Sequence, residues 1–200
     1  TATKPSPRNV STSPRSSQTA WIIGPKTRLR RATSSSGRML AASGLRTEAV
    51  GNNETPLVDV LDHDLDVIVV EASSFRLQFI ETFRPKVGVW LNLAPDHLDW
   101  HGSMEHYGAA KARIWENQTP DDLAVANADD DEVMRYVRKA HSRLETFGLG
   151  NGDWHLQGNR LLQPDGEVLI TTNELWRALP HDLSNALAAD KLKHDVPIAN

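Results

Sequence analysis

At 200 residues the chain is long enough for one good-sized domain, or for a domain with ragged ends. Its 39% hydrophobic and 24% charged residues are ordinary for a globular protein, and the lack of cysteine excludes a disulfide framework and any thiolate metal site. The formal charge of −4 is unevenly spread, because residues 1–47 hold nine of the 22 Lys and Arg and none of the 26 acids.

No apolar run nears the roughly 18 residues of a membrane span, and no signal-peptide core follows the start. No membrane or nucleic-acid partner is expected, and a cytoplasmic setting is. Residues 1–36 are rich in Ser, Thr, Arg and Pro and carry no strand or helix period beyond the short "AWIIG". A segment so polar buries too little surface to offset its ordering entropy, so most of it is expected to be disordered. Its acid-free, Arg-rich start mimics a transit peptide but reads as a tail.

From Gly37 the texture changes. "GRMLAASGL" reads as the back half of a helix stopped at Gly44. "TEAV" is a short strand, and "TPLVDVLD" a helix opened by Thr55 with Pro56 at its first position. "LDVIVVEASS" and "PKVGVWLNLA" are continuous apolar strands of the kind buried on both faces of a parallel sheet. Met104 to Asn117 reads as a helix with Tyr107, Ala110, Lys111 and Ile114 on its inner face. "LAVANAD" is a third buried strand, "DEVMRYVRKAH" a helix and "ETFGLG" a fourth strand. "WHLQGNRLLQPDGEVLITT" is antiparallel hairpin material turning at Pro164-Asp165-Gly166, and "LPHDLSNALAAD" begins a last helix. Alternating strands and helices predict an α/β fold: a mostly parallel, doubly wound sheet with a small β appendage.

In such sheets ligands bind beyond the carboxyl ends of the strands. Two apolar strands deliver polar groups there: Glu71 with Ser73 and Ser74, and Asn92 with Asp96 and His97. A carboxylate and an imidazole without a cysteine suit a hard, oxygen-loving cation, and magnesium with bound phosphates fits that chemistry. Lys111 on an inward face is costly unless paired or chemically altered. Taken singly, each residue has a plainer role: Glu71 a turn cap, His97 a satisfied core histidine, Lys111 a chain that snorkels to solvent, Asp99 and His101 local turn and cap groups.

"EASSFRLQFIETFRP" followed by "VGVWLNLAPDHLDWHGSMEHYGAAKARIWENQ", with "AVGNNETPLVDVL" upstream and "LPHDLSNALAA" downstream, resembles the central domain of the Mur ligases in order and spacing. The resemblance implies a central ATP-binding domain at 37–189, flanked by aberrant segments at 1–36 and 190–200. It implies an ADP-forming amide ligase of peptidoglycan precursor synthesis, acting as a monomer through an acyl phosphate. Its partners would be small molecules: ATP, magnesium, UDP-N-acetylmuramoyl-L-alanine and D-glutamate. By the same resemblance Glu71, His97 and a carbamylated Lys111 hold metal, with Lys111 and His97 as the catalytic pair. Asn52, Ser73 and His97 contact substrate, and Asn185 with His181 read the adenine. The alternatives are an inactive fragment keeping a metal or nucleotide-sugar site, and a related Mur or folylpolyglutamate-type ligase. The chain departs from the family where a G-T-N-G-K-T phosphate loop belongs: Ile22 to Ser36 offers only "GPKT". Arg76, Asn53-Glu54 and Asp182 also differ from the family's usual residues. "WIIG" giving way to Arg/Ser/Thr-rich text is the pattern that a locally shifted reading frame leaves in GC-rich DNA.

Overall fold

The computed structural model describes the backbone of residues 18–23, 33, 36–52, 55–175 and 179–195, and their side chains apart from 18–23 and 189–195. Strand β1 (Gln18–Ile23) is followed by helix α1 (36–42), β2 (Thr47–Gly51), a 3-10 turn (Leu57–Val60), β3 (Val67–Glu71), α2 (Ser74–Leu77) and β4 (Val87–Trp90). Next come α3 (Leu98–His101), α4 (Met104–Ala112) running into a 3-10 turn (Arg113–Trp115), β5 (Leu123–Asn127), α5 (Asp131–Val137) and β6 (Arg143–Gly148). Strands β7 (Trp154–Gln157), β8 (Arg160–Leu162) and β9 (Val168–Thr171) precede α6 (Pro180–Asp195).

The strands form one sheet in the order β2-β3-β1-β4-β5-β6-β7-β8-β9. Pairing is parallel from β2 to β7 and antiparallel for β7-β8 and β8-β9. The doubly wound α/β expectation is therefore met. Side-chain alternation along each strand supplies both faces of the sheet. Val67 and Val69 of β3, Val87 and Val89 of β4 and Val125 of β5 pack with Leu40, Leu183 and Leu187 under α1 and α6. Ile68, Val70, Trp90, Ala124 and Ala126 turn the other way, beneath Leu77, Ile114, Val133 and Tyr136. Each large apolar side chain buried in these layers contributes roughly 1.5–3 kcal/mol.

Three features differ from what the sequence predicts. The run expected as an isolated apolar patch in a disordered segment is β1, the strand between β3 and β4; residues 1–17 and 24–32 lie outside the described residues. The helix expected from Thr55 is a single 3-10 turn, because Pro56 caps it in an extended conformation instead of entering it. The expected small β appendage is the antiparallel β7-β8-β9, joined to the main sheet where β7 pairs in parallel with β6 at Phe147↔Trp154 and Gly148↔His155. Helix α6 continues through Asp195, beyond the boundary expected at 189, while 196–200 lie outside the described residues. Among the described residues no helix is long and apolar enough to cross a membrane.

Two contacts fix the layer over β4 and β5. A Cβ at Gly108 would sit 2.6 Å from the Tyr136 ring, so the absent side chain lets α5 lie directly on α4, with the Tyr136 hydroxyl donating to the Glu105 carbonyl at 3.0 Å. Below β5, the buried Asp122 carboxylate accepts from Arg84, from Lys86 at 3.1 Å and from the Thr119 amide at 2.8 Å. Burial pushes the Asp122 pKa up, but these donors outweigh it and bring it down to about 2. A carboxyl depressed in the fold stabilises it above its unfolded pKa and loses that contribution as pH falls. Wild type is therefore expected to lose on the order of 2 kcal/mol more than Asp122→Asn between about pH 4 and pH 2, read by urea unfolding across that window. Gly108→Ala is expected to lower stability at every pH by about 1–3 kcal/mol through overpacking against Tyr136.

Candidate functional site

Strand β1 sets the geometry of the carboxyl edge. Ile22 pairs with Glu71 of β3 and Ile23 with Trp90 of β4, while Gly51 of β2 pairs with Glu71. The chain winds outward from β1 to β2, then from β3 crosses β1 to reach β4, so strand order reverses around β1. A crevice opens at such a reversal.

On the β2–β3 side the wall is rigid. Gly51 has φ +114, and a Cβ there would lie 2.3 Å from the Glu71 carbonyl oxygen, so only glycine fits. That approach lets the Asn52 amide donate to the Glu71 carbonyl at 2.9 Å, and Asn52 Nδ2 to Glu71 Oε1 at 3.3 Å. Glu71 is 0% exposed. It offers a carboxylate, oriented by Asn52, at the centre of the edge.

The β4 side is tied down by side chains. Trp90 Nε1 donates to the Asn92 carbonyl at 3.0 Å and Asn127 Nδ2 to the Leu91 carbonyl at 2.9 Å. Asp130 accepts the Leu93 amide at 2.7 Å with one oxygen and caps α5 through the Val133 amide at 3.1 Å with the other. Asn92 Oδ1 is buried and has no hydrogen-bond partner among the described residues, an acceptor awaiting a donor. Beyond it His97 has φ 53, the only non-glycine with positive φ among the described residues. Asp96 holds that strained backbone by accepting the His97 amide at 2.9 Å, and its other oxygen lies 3.4 Å from His97 Nε2.

Helix α4 supplies the floor. Ser103 caps it by accepting the His106 amide at 3.2 Å, which directs Tyr107 and Lys111 inward. Lys111 is 2% exposed, with Nζ 4.9 Å from the centre of the Tyr107 ring. Burial lowers its pKa to about 8, against the upward pull of Asp96. It does not snorkel. Burial, and then Asp96, push the Tyr107 hydroxyl up to about 12.

The expected residues thus fall into groups. Asn52 and Glu71 are hydrogen-bonded to each other, and His97 and Lys111 share Tyr107, whose ring centre is 6.3 Å from that of His97. Ser73 is half-buried at the N-cap of α2, its side chain making no capping bond. His181 and Asn185 stand on α6, against the opposite face of the sheet; Asn185 is 8% exposed and His181 lies 3.4 Å from Asp182. Among the described residues no three His, Asp or Glu side chains gather as a metal set. A lone buried carboxylate still suits magnesium, which takes one or two carboxylates and fills its shell with phosphate and water.

The sequence places Ser74 at the strand edge without a partner or a role, and His101 as a local cap. His101 is instead buried against Tyr107 and joined to Ser74. The signal was Gly102, whose φ of +73 ends a one-turn helix at His101 and turns its ring inward.

A doubly wound parallel sheet with a buried carboxylate at its reversal point, and with His97 and the buried Lys111 sharing Tyr107, defines an α/β domain of the class that binds ligands at the carboxyl edge of its strands. The Mur ligase middle-domain model matches residues 28–189, and the chain belongs to the Mur ligase family. A UDP-N-acetylmuramoylalanine–D-glutamate ligase of Pelotomaculum thermopropionicum is 42% identical over 161 residues, 76% of this chain and 35% of that protein. The chain thus spans about a third of the length of the curated relatives it matches. Among solved structures, a UDP-N-acetylmuramoyl-L-alanyl-D-glutamate–2,6-diaminopimelate ligase superposes with a TM-score of 0.72 at 20% identity, covering 90% of this chain and 43% of that one. A MurF ligase from Thermotoga maritima in complex with ADP gives 0.66 at 18% identity, covering 90% and 45%.

The Lys111 pKa has a measurable consequence. Below pH 8 the fold carries a buried cation, whereas the unfolded chain keeps its proton up to the ordinary 10.5. Between those values the unfolded state binds more protons, so stability rises with pH. Wild type is expected to gain on the order of 3 kcal/mol relative to Lys111→Met from pH 8 to 10.5, measured by paired denaturant titrations.

Proposed function

We propose that this chain is the nucleotide- and substrate-binding central unit of an ADP-forming ligase that joins D-glutamate to UDP-N-acetylmuramoyl-L-alanine. The observation that carries the reading is the buried Glu71 carboxylate at the sheet edge beside β1, with Asn92 just beyond the neighbouring β4, in a chain 42% identical to a D-glutamate ligase over 161 residues.

In this reaction the substrate carboxylate takes the γ-phosphoryl group of ATP, releasing ADP. The amine of D-glutamate then displaces phosphate to form the amide, and the enzyme's share is positioning and charge neutralisation. Glu71, His97 and Lys111 would hold magnesium, which when bound draws charge off the phosphates. Asn52 orients the Glu71 carboxylate. A neutral Lys111 amine takes up CO2 and loses a proton, giving a carbamate, so the buried cation becomes an oxygen donor. Ser73 and His97 meet the muramoyl substrate, and His181 and Asn185 read the adenine from α6.

A second reading has its own support. Ile22 to Ser36 has one glycine before the Lys-Thr pair and no G-x-x-x-x-G-K spacing. A chain lacking that spacing would bind substrate without turnover.

Calorimetry with UDP-N-acetylmuramoyl-L-alanine in magnesium buffer, with and without ADP, tests both readings. The proposal expects binding that Glu71→Gln and His97→Ala each weaken about tenfold or more; flat wild-type traces in both buffers would sink it. D-glutamate-dependent phosphate release from ATP, assayed in parallel, assigns the full reaction to this chain. Binding without release favours the second reading.

A further inference from the structure

We propose that Ser74 and His101 are positioning residues for the strand-end site, orienting His97 and Lys111 through Phe75 and Tyr107 without touching a ligand. The proposal rests on the ligase reading only for the substrate involved; its geometry is independent.

Ser74 opens α2, three positions after Glu71, and His101 closes α3, four positions after His97. The two residues are 2% and 9% exposed, and Oγ and Nε2 lie 3.0 Å apart. One bond across 27 positions thus joins the segment that leaves β3 to the segment that leaves β4. Both helices have only four residues and cannot hold their own orientation.

What the bond orients is visible in the rings around it. Phe75, next to Ser74, meets the His97 ring edge-on at 4.7 Å and lies 5.7 Å from His101. The His101 ring sits 5.2 Å from Tyr107, the ring beneath Lys111 Nζ. His101 therefore touches one ring that braces each functional side chain. Burial, followed by the proximity of His97 and Lys111, lowers the His101 pKa. The neutral imidazole keeps one donor and one acceptor, and the hydroxyl of Ser74 can satisfy either. Two apolar side chains would pack these helices together but would leave the imidazole plane undirected; a buried hydrogen bond fixes it.

The test compares wild type with Ser74→Ala, His101→Leu, His101→Gln and the Ser74→Ala/His101→Leu double variant. His97 ring signals are read in long-range 1H–15N spectra of the ligand-free chain, with folding checked by circular dichroism. Ser74→Ala and His101→Leu are expected to move the His97 signals, the double variant no further than either. His101→Gln, whose side-chain amide reaches the place of Nε2, is expected to restore them. Affinity for UDP-N-acetylmuramoyl-L-alanine should follow the same pattern, about tenfold weaker in Ser74→Ala and near wild type in His101→Gln. Unmoved His97 signals in a folded Ser74→Ala chain overturn the proposal; that variant deletes one oxygen and serves even where His101→Leu does not fold. If wild type binds no muramoyl substrate, the ligase reading fails, and the His97 spectra still decide the positioning role.

Discussion

Everything at the candidate site hangs on β1 lying between β3 and β4. Those strands present almost wholly apolar, fully buried runs and do not pair with each other; each satisfies its facing backbone groups against Gln18–Ile23. Without β1, two buried strands would carry unpaired edges. The same strand is a spacer. With neighbours about 4.8 Å apart in the hydrogen-bonding direction, it separates β3 from β4 by roughly 10 Å. That gap faces the end of β1, with the Glu71 carboxylate on one side and the Asn92 acceptor on the other. It exists because strand order reverses there.

The two walls of this gap are stabilised by different physics. The Gly51–Asn52–Glu71 wall is backbone-made: a close approach only glycine permits, followed by hydrogen bonds to one strand end. The segments beyond β3 and β4 are short pieces, and α2 and α3 are too brief to persist by helix propensity. They borrow order from α4 and its continuation, where the Arg113 guanidinium donates to the Gln78 and Ile80 carbonyls and Trp115 Nε1 donates to the Gly88 carbonyl at 2.8 Å. Trp90, 5.4 Å from Trp115 and 5.6 Å from Tyr136, carries that order into the core. A change at Tyr136 or Arg113 would therefore reach His97 through packing alone.

How much of this was legible follows from where each element gets its stability. Strands β3, β4 and β5 are written as unbroken apolar runs, since burial on both faces demands them, and the inner face of α4 could be read residue by residue. Glu71, His97 and Lys111 could be located because they follow or face those strong signals. β1 was hidden, because six residues inside Ser- and Arg-rich text carry no decisive period and gain their place only from neighbours 45 or more positions away. The single turn at Leu57–Val60 misled because Pro56 can either open a helix or cap one from outside, and tertiary contacts choose. Ser74 and His101 were not legible as a pair, since neither has a local pattern and their bond exists only once β3 and β4 stand on either side of β1.

Lys111 shows why this site and the stability of the domain pull against each other. The burial that makes an ammonium unfavourable beside Tyr107 is what brings its amine near neutrality, and a neutral amine is the form that reacts with CO2. An apolar side chain of similar length would fill the same space without desolvating a charge. The chain carries a lysine there, on the face of α4 turned towards His97 and Asp96. The nearby carboxylate is placed to moderate the cost and not to remove it: Asp96 raises the lysine pKa, yet it is engaged with the His97 backbone and stops short of restoring the ordinary value. A core designed for stability alone would place an apolar side chain there. A lysine whose pKa burial brings down to about 8 keeps both protonation states within reach near neutral pH, the condition a group must meet if it is to change its charge during function.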